Sequence, residues 1–526
     1  MLFISPKRIK GIPNVFSNIP IYGNLSLIFP PAKKWSDSPC LKFYRLSQKY
    51  GEVFQVRFGN RLVVVANSYD SIIKLWCCKS VRGNNSRPIS ETFHNQLSRE
   101  GIYTIGTTPF GPDYLKMRKF VSSNVLNGKS GKGYNGGVIS RETNRLILKL
   151  VAKATRKGEN EDYFISDDFI RKGQYFHLAV ALILTYGYQI DYTASENRLE
   201  ADEIIYVENQ ITKIRSHVQN FQDFLPNPFR FLLNVFSGKN SFSRKLYERR
   251  KVYLEKYFKF SRENITYPNS AVRRSLMYHY FMDGENCVKR AQMASICLTM
   301  VSAGLDNTPL NFKYELHQLS HSPHVCKKAY KELMDGFEND PVKAYQNCHK
   351  ELKCQYIVAI VKETLRLFTV LPMALPRETT EPITYGTAVI PKGTLLFMNS
   401  WAGNHDQNAI YKPMEFIPER FLSSDDDGND TSSSLKHFAF GIGSRMCLGN
   451  HLAFQELYIL TCKFLLLFEF QNPEMNKLNP LELNQFPESI AIEPEIFNIC
   501  LKLRSKEFVN QAMGPREVKF ADDVTM

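Results

Sequence analysis

The sequence predicts a mainly α protein, a single large helical body with a small β-rich lobe. Three observations carry this. The chain has 526 residues, 43% of them apolar and 13% aromatic, which is ample for a sizeable core and argues against wholesale disorder. From about residue 137 to 375 the pattern is long, helical and only briefly interrupted. Strand signals are short and lie towards the two chain ends, with no internal repeat and no clean linker. Length alone would also admit three small domains; the long helical middle, with no clean linker, favours one body.

Pro6, Pro13, Pro20, Pro30 and Pro31 mark residues 1–36 as an irregular, basic opening segment. Residues 52–67, EVFQVRFGNRLVVVAN, hold two alternating apolar runs about Gly59 and Asn60, a β-hairpin signal. The uncharged runs 174–190 and 291–305 fall short of the ~20 apolar residues that cross a bilayer, so both read as buried helices. Strand signals return at 383–400, where Pro391, Lys392 and Gly393 supply a turn. A polar, acidic loop at 423–434 is followed by a strongly helical stretch at 448–470 and a final strand at 490–503.

A net charge of +15 suggests attraction to an anionic surface: membrane headgroups, an acidic protein or nucleic acid. No zinc-finger, basic-zipper or RNA-binding signature is present, so nucleic acid is set aside as a partner. Eleven cysteines without regular spacing, and no early stretch resembling a cleaved secretion signal, fit a reducing, cytosol-facing environment.

One cysteine has a frame around it. In FAFGIGSRMCLGNHL, residues 438–452, Phe440, Gly441, Gly443, Arg445, Cys447 and Gly449 describe a tight turn presenting one thiolate at a helix start. Glycines allow positive backbone dihedrals and close approach of something flat. Backbone N–H groups at a helix start stabilise an anionic sulfur. A thiolate without a second Cys or His nearby suits a metal whose other ligands come from a cofactor, such as haem iron. On the cysteine alone, a buried and inert thiol beside a Gly-rich loop is the competing reading.

The pattern F-x-x-G-x-R-x-C-x-G at Phe440, Gly443, Arg445, Cys447 and Gly449 resembles the haem-ligand signature of the cytochrome P-450 superfamily. ETLR supplies Glu363 and Arg366, an i,i+3 pair on one helical face, and PERF supplies Arg420, which in this family completes an ion network with that pair. The resemblance covers roughly residues 40–505 and implies a single cytochrome P-450-type fold, with a haem-thiolate monooxygenase domain at 37–506 and a tail at 507–526. It implies haem b as cofactor and Cys447 as the iron ligand. Arg445, Arg377 in LPRET and Arg118 in YLKMRK would neutralise the haem carboxylates, with Tyr114 where the family usually has Trp.

The segment ICLTMVSAGLDNTPLNF, residues 296–312, resembles the helix that passes over the haem. Ala303 and Gly304 would leave room for dioxygen, and Asp306 would relay protons. Asn307 stands where a Thr is expected, and Thr308 comes one residue, about 100° of helix, later. Pro309 could distort the helix enough to turn Thr308 inward.

The similarity of residues 87–110 and of the two motif segments to fungal phenylacetate 2-hydroxylases implies a small organic acid, aromatic in that group, as substrate. Phe93, Ile102, Thr104, Ala303, Leu371 and Met373 are the pocket candidates. Hydroxylation of another lipophilic substrate, and a non-catalytic haem-thiolate protein, are the alternatives. O2 and NADPH electrons would arrive through a flavoprotein NADPH-cytochrome reductase, since the chain lacks a Rossmann or flavin motif of its own. Lys436 is a candidate for the surface that steers it. The chain is expected to be a monomer, either cytoplasmic or peripheral on the cytosolic face of the endoplasmic reticulum membrane. Lys7, Arg8, Lys10, Phe3, Phe16 and Ile19 would form the contact. A zinc site on His317 and His321 is disfavoured by Gln318 where the protease pattern needs Glu; a solvated helix end is the expectation there.

Overall fold

The computed structural model describes residues 7–17, 19–29, 34–77, 82–90, 94, 103–126, 129–155, 162–165, 168–191, 195–216, 220–236, 239–268, 270–284, 288–422, 435–471, 489–493 and 499–513. Helices α1 (Pro39–Tyr50) and α2 (Tyr69–Cys77) flank a hairpin of β1 (Val53–Phe58) and β2 (Arg61–Ala66). Phe58 pairs with Arg61 across Gly59 and Asn60. Gly59 has φ 57°, and a side chain there would strike the Phe224 carbonyl.

The alternation read from the sequence separates two buried faces. Val64 and Ala66 join Ile9, Ile12, Trp76 and Ile390 on one face, whereas Phe54, Phe58, Val63 and Val65 join Phe43, Leu25 and Phe397 on the other. The opening segment is irregular in backbone yet docked. The buried Gln55 amide donates to the Ile9 and Ile12 carbonyls (2.8 and 2.6 Å) and accepts from the Ile9 N–H at 2.9 Å.

The helical middle begins earlier than expected and holds a strand. It runs through α3 (Pro112–Val121), α4 (Lys129–Thr155), β3 (Asp162–Ile165), α5 (Asp168–Tyr186), α6 (Ser195–Ile214), α7 (Asn227–Phe236), α8 (Lys239–Asn264) and α9 (Leu276–His279). It continues with α10 (Arg290–Ser302), α11 (Asn307–Ser320), α12 (Pro323–Gly336), α13 (Pro341–Asn347) and α14 (Gln355–Phe368). α11 is the centre: every residue from Thr308 to Ser320 is buried, against α5, α14 and the later α16 (Asn450–Leu467). The stretch 291–305 is therefore two pieces, because α10 stops at Ser302. No helix among the described residues is long and apolar enough to cross a membrane.

The remaining elements are β4 (Arg377–Glu378), β5 (Ile383–Tyr385), β6 (Ala388–Ile390), β7 (Leu395–Met398), α15 (Ser400–Asn404), β8 (Phe468–Gln471), β9 (Ile499–Leu503) and α17 (Lys506–Met513). The strands form three small sheets, β1-β2-β7-β4, β3-β9-β8 and β5-β6. Three expectations are corrected. The hairpin within 383–400 turns at Gly386 (φ 58°), whereas Pro391–Gly393 links β6 to β7 in a different sheet. The helix expected at 448–470 ends at Leu467, where β8 begins. The final strand is 499–503; residues 490–493 are not strand, and 494–498 lie outside the described residues. The boundary drawn at 506 falls at the start of α17, whose Val509, Ala512 and Met513 are buried.

Candidate functional site

The cysteine loop, the gap between α10 and α11, the start of α3 and the segment after α14 enclose a cavity of about 300 Å³. Backbone bonds close the loop: Gly441 N–H to Phe438 O (2.9 Å), Met446 N–H to Gly443 O (3.0 Å) and Cys447 N–H to Phe440 O (2.9 Å). Gly443 has φ 73°, and a Cβ there would lie 2.3 Å from the Trp76 carbonyl oxygen, so only glycine lets the loop rest on α2. Cys447 is accessible from the cavity while surrounded by protein. Burial pushes its thiol pKa up; the Gly449 N–H and the Arg118 charge pull it down.

One end of the cavity is strongly cationic. The Arg445 guanidinium donates to the Gly106 and Thr108 carbonyls (3.3 and 2.8 Å) and lies 3.9 Å over the Tyr114 ring. Arg377 donates to the Ile442 carbonyl, and Arg118 to the Tyr114 hydroxyl at 3.3 Å. That hydroxyl in turn donates to the Ser444 carbonyl at 3.3 Å. Arg87, to which the sequence reading gave no role, donates to Gly106 O, Leu375 O and Pro376 O at 2.9, 2.6 and 2.7 Å. Burial and the mutual repulsion of the guanidinium groups lower all three buried arginines: Arg87 well below the usual range, Arg377 to about 9, Arg445 to about 10. Nη1 of Arg377 and of Arg445 is buried without a hydrogen-bond partner. Such a cluster calls for an anion.

The helix gap has a local cause. Pro309 is the third residue of α11, where its missing N–H costs little, and its ring excludes the Leu305 carbonyl four residues back. The chain thus leaves helical geometry before Pro309, across Ala303–Asp306. Ala303 is exposed to the cavity. Asn307 and Thr308 both line it: the Asn307 amide donates back to Ala303 O at 2.7 Å, and the Thr308 hydroxyl donates to Glu456 Oε2 at 3.0 Å. Glu456 Oε2 also meets His177 Nδ1 at 3.2 Å; Glu456 Oε1 and His177 Nε2 are buried without partners. Gly304 is required beside that ring, because a Cβ would lie 2.1 Å from it. Asp306 accepts from the Gln174 amide at 2.7 Å, and burial raises its pKa.

The ETLR and PERF residues meet in one contact, with Glu363 and Arg366 fully buried and Arg420 partly exposed at its edge. Arg366 grips Glu363 with Nε and Nη2, both 2.8 Å, and Arg420 Nε reaches both Glu363 oxygens at 3.0 Å. Among the pocket candidates, Thr104, Ala303 and Leu371 line the cavity, whereas Phe93 and Ile102 lie outside the described residues. Met373 turns away, packing between the helical core and the β lobe; Val370, Ala374 and Leu375 line the wall in its place. The histidine cluster is no solvated helix end: His317 is buried, its ring 4.3 Å from that of His321.

A family model described as Cytochrome P450 matches residues 13–501. The chain is 33% identical to phenylacetate 2-hydroxylase of Emericella nidulans, over 97% of this chain and 93% of that protein. It is 31% identical to 3-hydroxyphenylacetate 6-hydroxylase of the same organism, over 91% and 87%. It is 25% identical to isoflavone 2'-hydroxylase of Medicago truncatula, over 92% and 91%.

Proposed function

The chain belongs to the cytochrome P450 family, and from that premise we propose that it hydroxylates a small aromatic acid of the phenylacetate type. As a cytochrome P450 monooxygenase it uses haem b, with O2 and electrons that NADPH supplies through a reductase. The residues of the cavity fit that group. The accessible Cys447 sulfur offers a thiolate ligand, and the unpartnered Nη1 atoms of Arg377 and Arg445 suit a dianionic cofactor. This pairing, a lone thiol and a crowd of undersatisfied guanidinium groups in one cavity, is the observation that carries the reading.

When bound, the haem supplies activation of O2 and transfer of one oxygen atom to the substrate. The chain's own residues hold and provision it. Cys447 is the ligand in this reading, its charge tempered by the Gly449 N–H. Arg118, Arg377, Arg445 and Arg87 neutralise carboxylates beside Tyr114. Ala303 and Gly304 keep the helix gap open, Asn307 fixes it through Ala303 O, and Asp306 and Thr308 hold protons at its edge. Thr104 and Leu371 shape the substrate wall. The arylacetate assignment rests on the two Emericella relatives, whose names specify aromatic acetates. A flavoprotein reductase docking near the exposed Lys436, a monomeric state and peripheral membrane attachment complete the proposal.

Two measurements test it. Cys447→Ser should abolish the red-shifted Soret band of the reduced carbon monoxide complex; a persisting band assigns the ligand elsewhere. With NADPH, a reductase and ¹⁸O2, the wild-type chain should place one labelled oxygen on phenylacetate or a ring-substituted homologue. Labelled product from unrelated lipophiles alone would remove the arylacetate reading.

A further inference from the structure

His177 stands on α5, buried, and lines the cavity beside the helix gap. Its ring packs on Gly304, where a Cβ would lie 2.1 Å from Cε1 and 2.3 Å from Nε2. The glycine there makes room for this imidazole. Nδ1 is 3.2 Å from Glu456 Oε2, and the same oxygen accepts from the Thr308 hydroxyl at 3.0 Å. A carboxylate only accepts, so Nδ1 carries a proton. Nε2 then holds a lone pair in the neutral ring and a second N–H in the charged one. That atom lies against Gly304 with no hydrogen-bond partner. A buried polar atom so placed calls for a water or a catalytic use.

The polar residues around the gap spend their groups on the protein. The Asn307 amide donates to Ala303 O at 2.7 Å, the Thr308 proton goes to Glu456, and Asp306 accepts from Gln174 at 2.7 Å. Asn311, one turn on, donates to Asn307 O at 2.7 Å, which leaves its buried Oδ1 an acceptor without a partner. A water at the gap would therefore find acceptors in Asn311 and neutral His177. The charged groups about the ring are Glu456 on α16 and Asp306 in the gap. Behind Asp306 stand Glu208 of α6 and Arg215, which is also a cavity wall.

We propose that His177 is a proton donor to the helix gap, its Nε2 exchanging protons with a water there while Glu456 fixes the ring. The imidazolium gives its Nε2 proton to that water and is left neutral; a proton drawn from solvent through the same water restores it. Nδ1 keeps its proton and Glu456 stays anionic, so the pair returns to its starting state after each transfer. This rests on membership of the cytochrome P450 family and not on the arylacetate reading: hydroxylation with O2 sends one oxygen atom to water, which takes up protons. It also suits a chain with Asn at 307, where a hydroxyl that could pass on a proton is replaced by a ring on another helix.

The test is infrared absorption of the reduced carbon monoxide complex of the haem-loaded full chain, without substrate. In wild type the C–O stretch should move to lower frequency between about pH 8 and pH 5, the span in which imidazole gains its charge, as an N–H forms beside the probe. His177→Gln keeps a hydrogen-bonding amide but exchanges no proton, so its band should stay fixed. If that variant does not hold haem, Glu456→Gln decides: without its anion the ring should make the same transition at lower pH. A wild-type band indifferent to pH, a transition that persists in His177→Gln, or one unmoved in Glu456→Gln overturns the proposal. Turnover supplies the second arm. With phenylacetate, NADPH and a reductase, His177→Gln should form product about 10²-fold more slowly, the low end for loss of a general acid. Hydrogen peroxide in place of NADPH and O2 brings its own protons, so product driven by it should be largely spared. Equal losses by both routes would mean that His177 only supports the wall, and overturn the proposal. If phenylacetate gives no product while the infrared transition depends on His177, the arylacetate reading falls and the proton donor stands.

Discussion

Glu315 lies on the most buried helix with no exposed surface, and burial pushes its carboxyl up to about 8 even though the Thr461 hydroxyl donates to it. The folded chain thus keeps a proton that the unfolded chain gives up near 4.5. Between those values the native state binds more protons, so its stability falls as pH rises and is fully retained below the lower value. Glu315→Gln fixes the neutral form and keeps an acceptor for Thr461. Its thermal midpoint should exceed that of wild type at about pH 8 and match it at about pH 5; parallel midpoints at both would mean the carboxylate is already ionised in the fold. Charged residues in apolar helices were a signal open to sequence reading. Glu456 and Lys463 interrupt an otherwise apolar run, and both are buried, Lys463 donating to Ser140 and Asn144. A charge in such a run needs a partner inside the protein, which would have pointed to Glu456. Arg87 and Arg215 sit in polar stretches that carry no such mark; only the fold makes them cavity walls.

At the scale of elements, the gap between α10 and α11 separates two neighbouring side chains by role. Asn307 secures the gap through Ala303 O, while Thr308 carries a hydroxyl to Glu456. A Thr at 307 can also bond a carbonyl four residues back, so Asn307→Thr should leave the coupling of NADPH to product nearly unchanged. Thr308→Ala should instead leak reduced oxygen as peroxide, measured against NADPH consumed, and Asp306→Asn should slow product formation about 10²–10⁴-fold with little change in substrate affinity. A coupled Thr308→Ala enzyme would place proton delivery elsewhere. α7 supports a second expectation. Phe229, Phe231, Leu232 and Leu233 are all exposed on it, and the segment just before it touches the opening segment through the Phe29–Phe221 stack at 3.9 Å. Phe16 and Ile19 of the opening segment are exposed as well, whereas Phe3 lies outside the described residues. Phe231→Ser with Leu232→Ser should move the chain from pelleted vesicles to the supernatant at unchanged haem content; unchanged pelleting would put the contact elsewhere. Legibility also varied among elements. Alternation around Gly59–Asn60 was a local signal and located its hairpin. Pro-Lys-Gly is a stronger local turn signal than Tyr-Gly-Thr, yet the latter closes the β5–β6 hairpin. β3 is four residues whose partner strand comes near the end of the chain, so nothing local announces it.

For the whole molecule, the charge of +15 bears on electron delivery. Lys436 is exposed at the base of the cysteine loop, its backbone N–H bonded to the Tyr69 hydroxyl at 3.0 Å. The second-order rate of reduction by an acidic reductase should fall as ionic strength rises, and Lys436→Glu should reduce both the rate and its salt dependence. A rate indifferent to salt would remove steering from the account. The sheet that carries the opening half of the lobe has one further consequence. β2 pairs in parallel with β7, and beside that junction the Asn399 amide donates to Asn67 Oδ1, 332 residues away in sequence. At ~5–20 residues per second, a ribosome needs roughly 20–60 s to make the intervening chain. Through that interval β2 waits with one edge unpaired and apolar on both faces, and Gly443, on which Trp76 must rest, has yet to be made. The hairpin thus keeps an unpaired edge until most of the helical middle has been made, and the chain can accept its cofactor only once Cys447 has been translated.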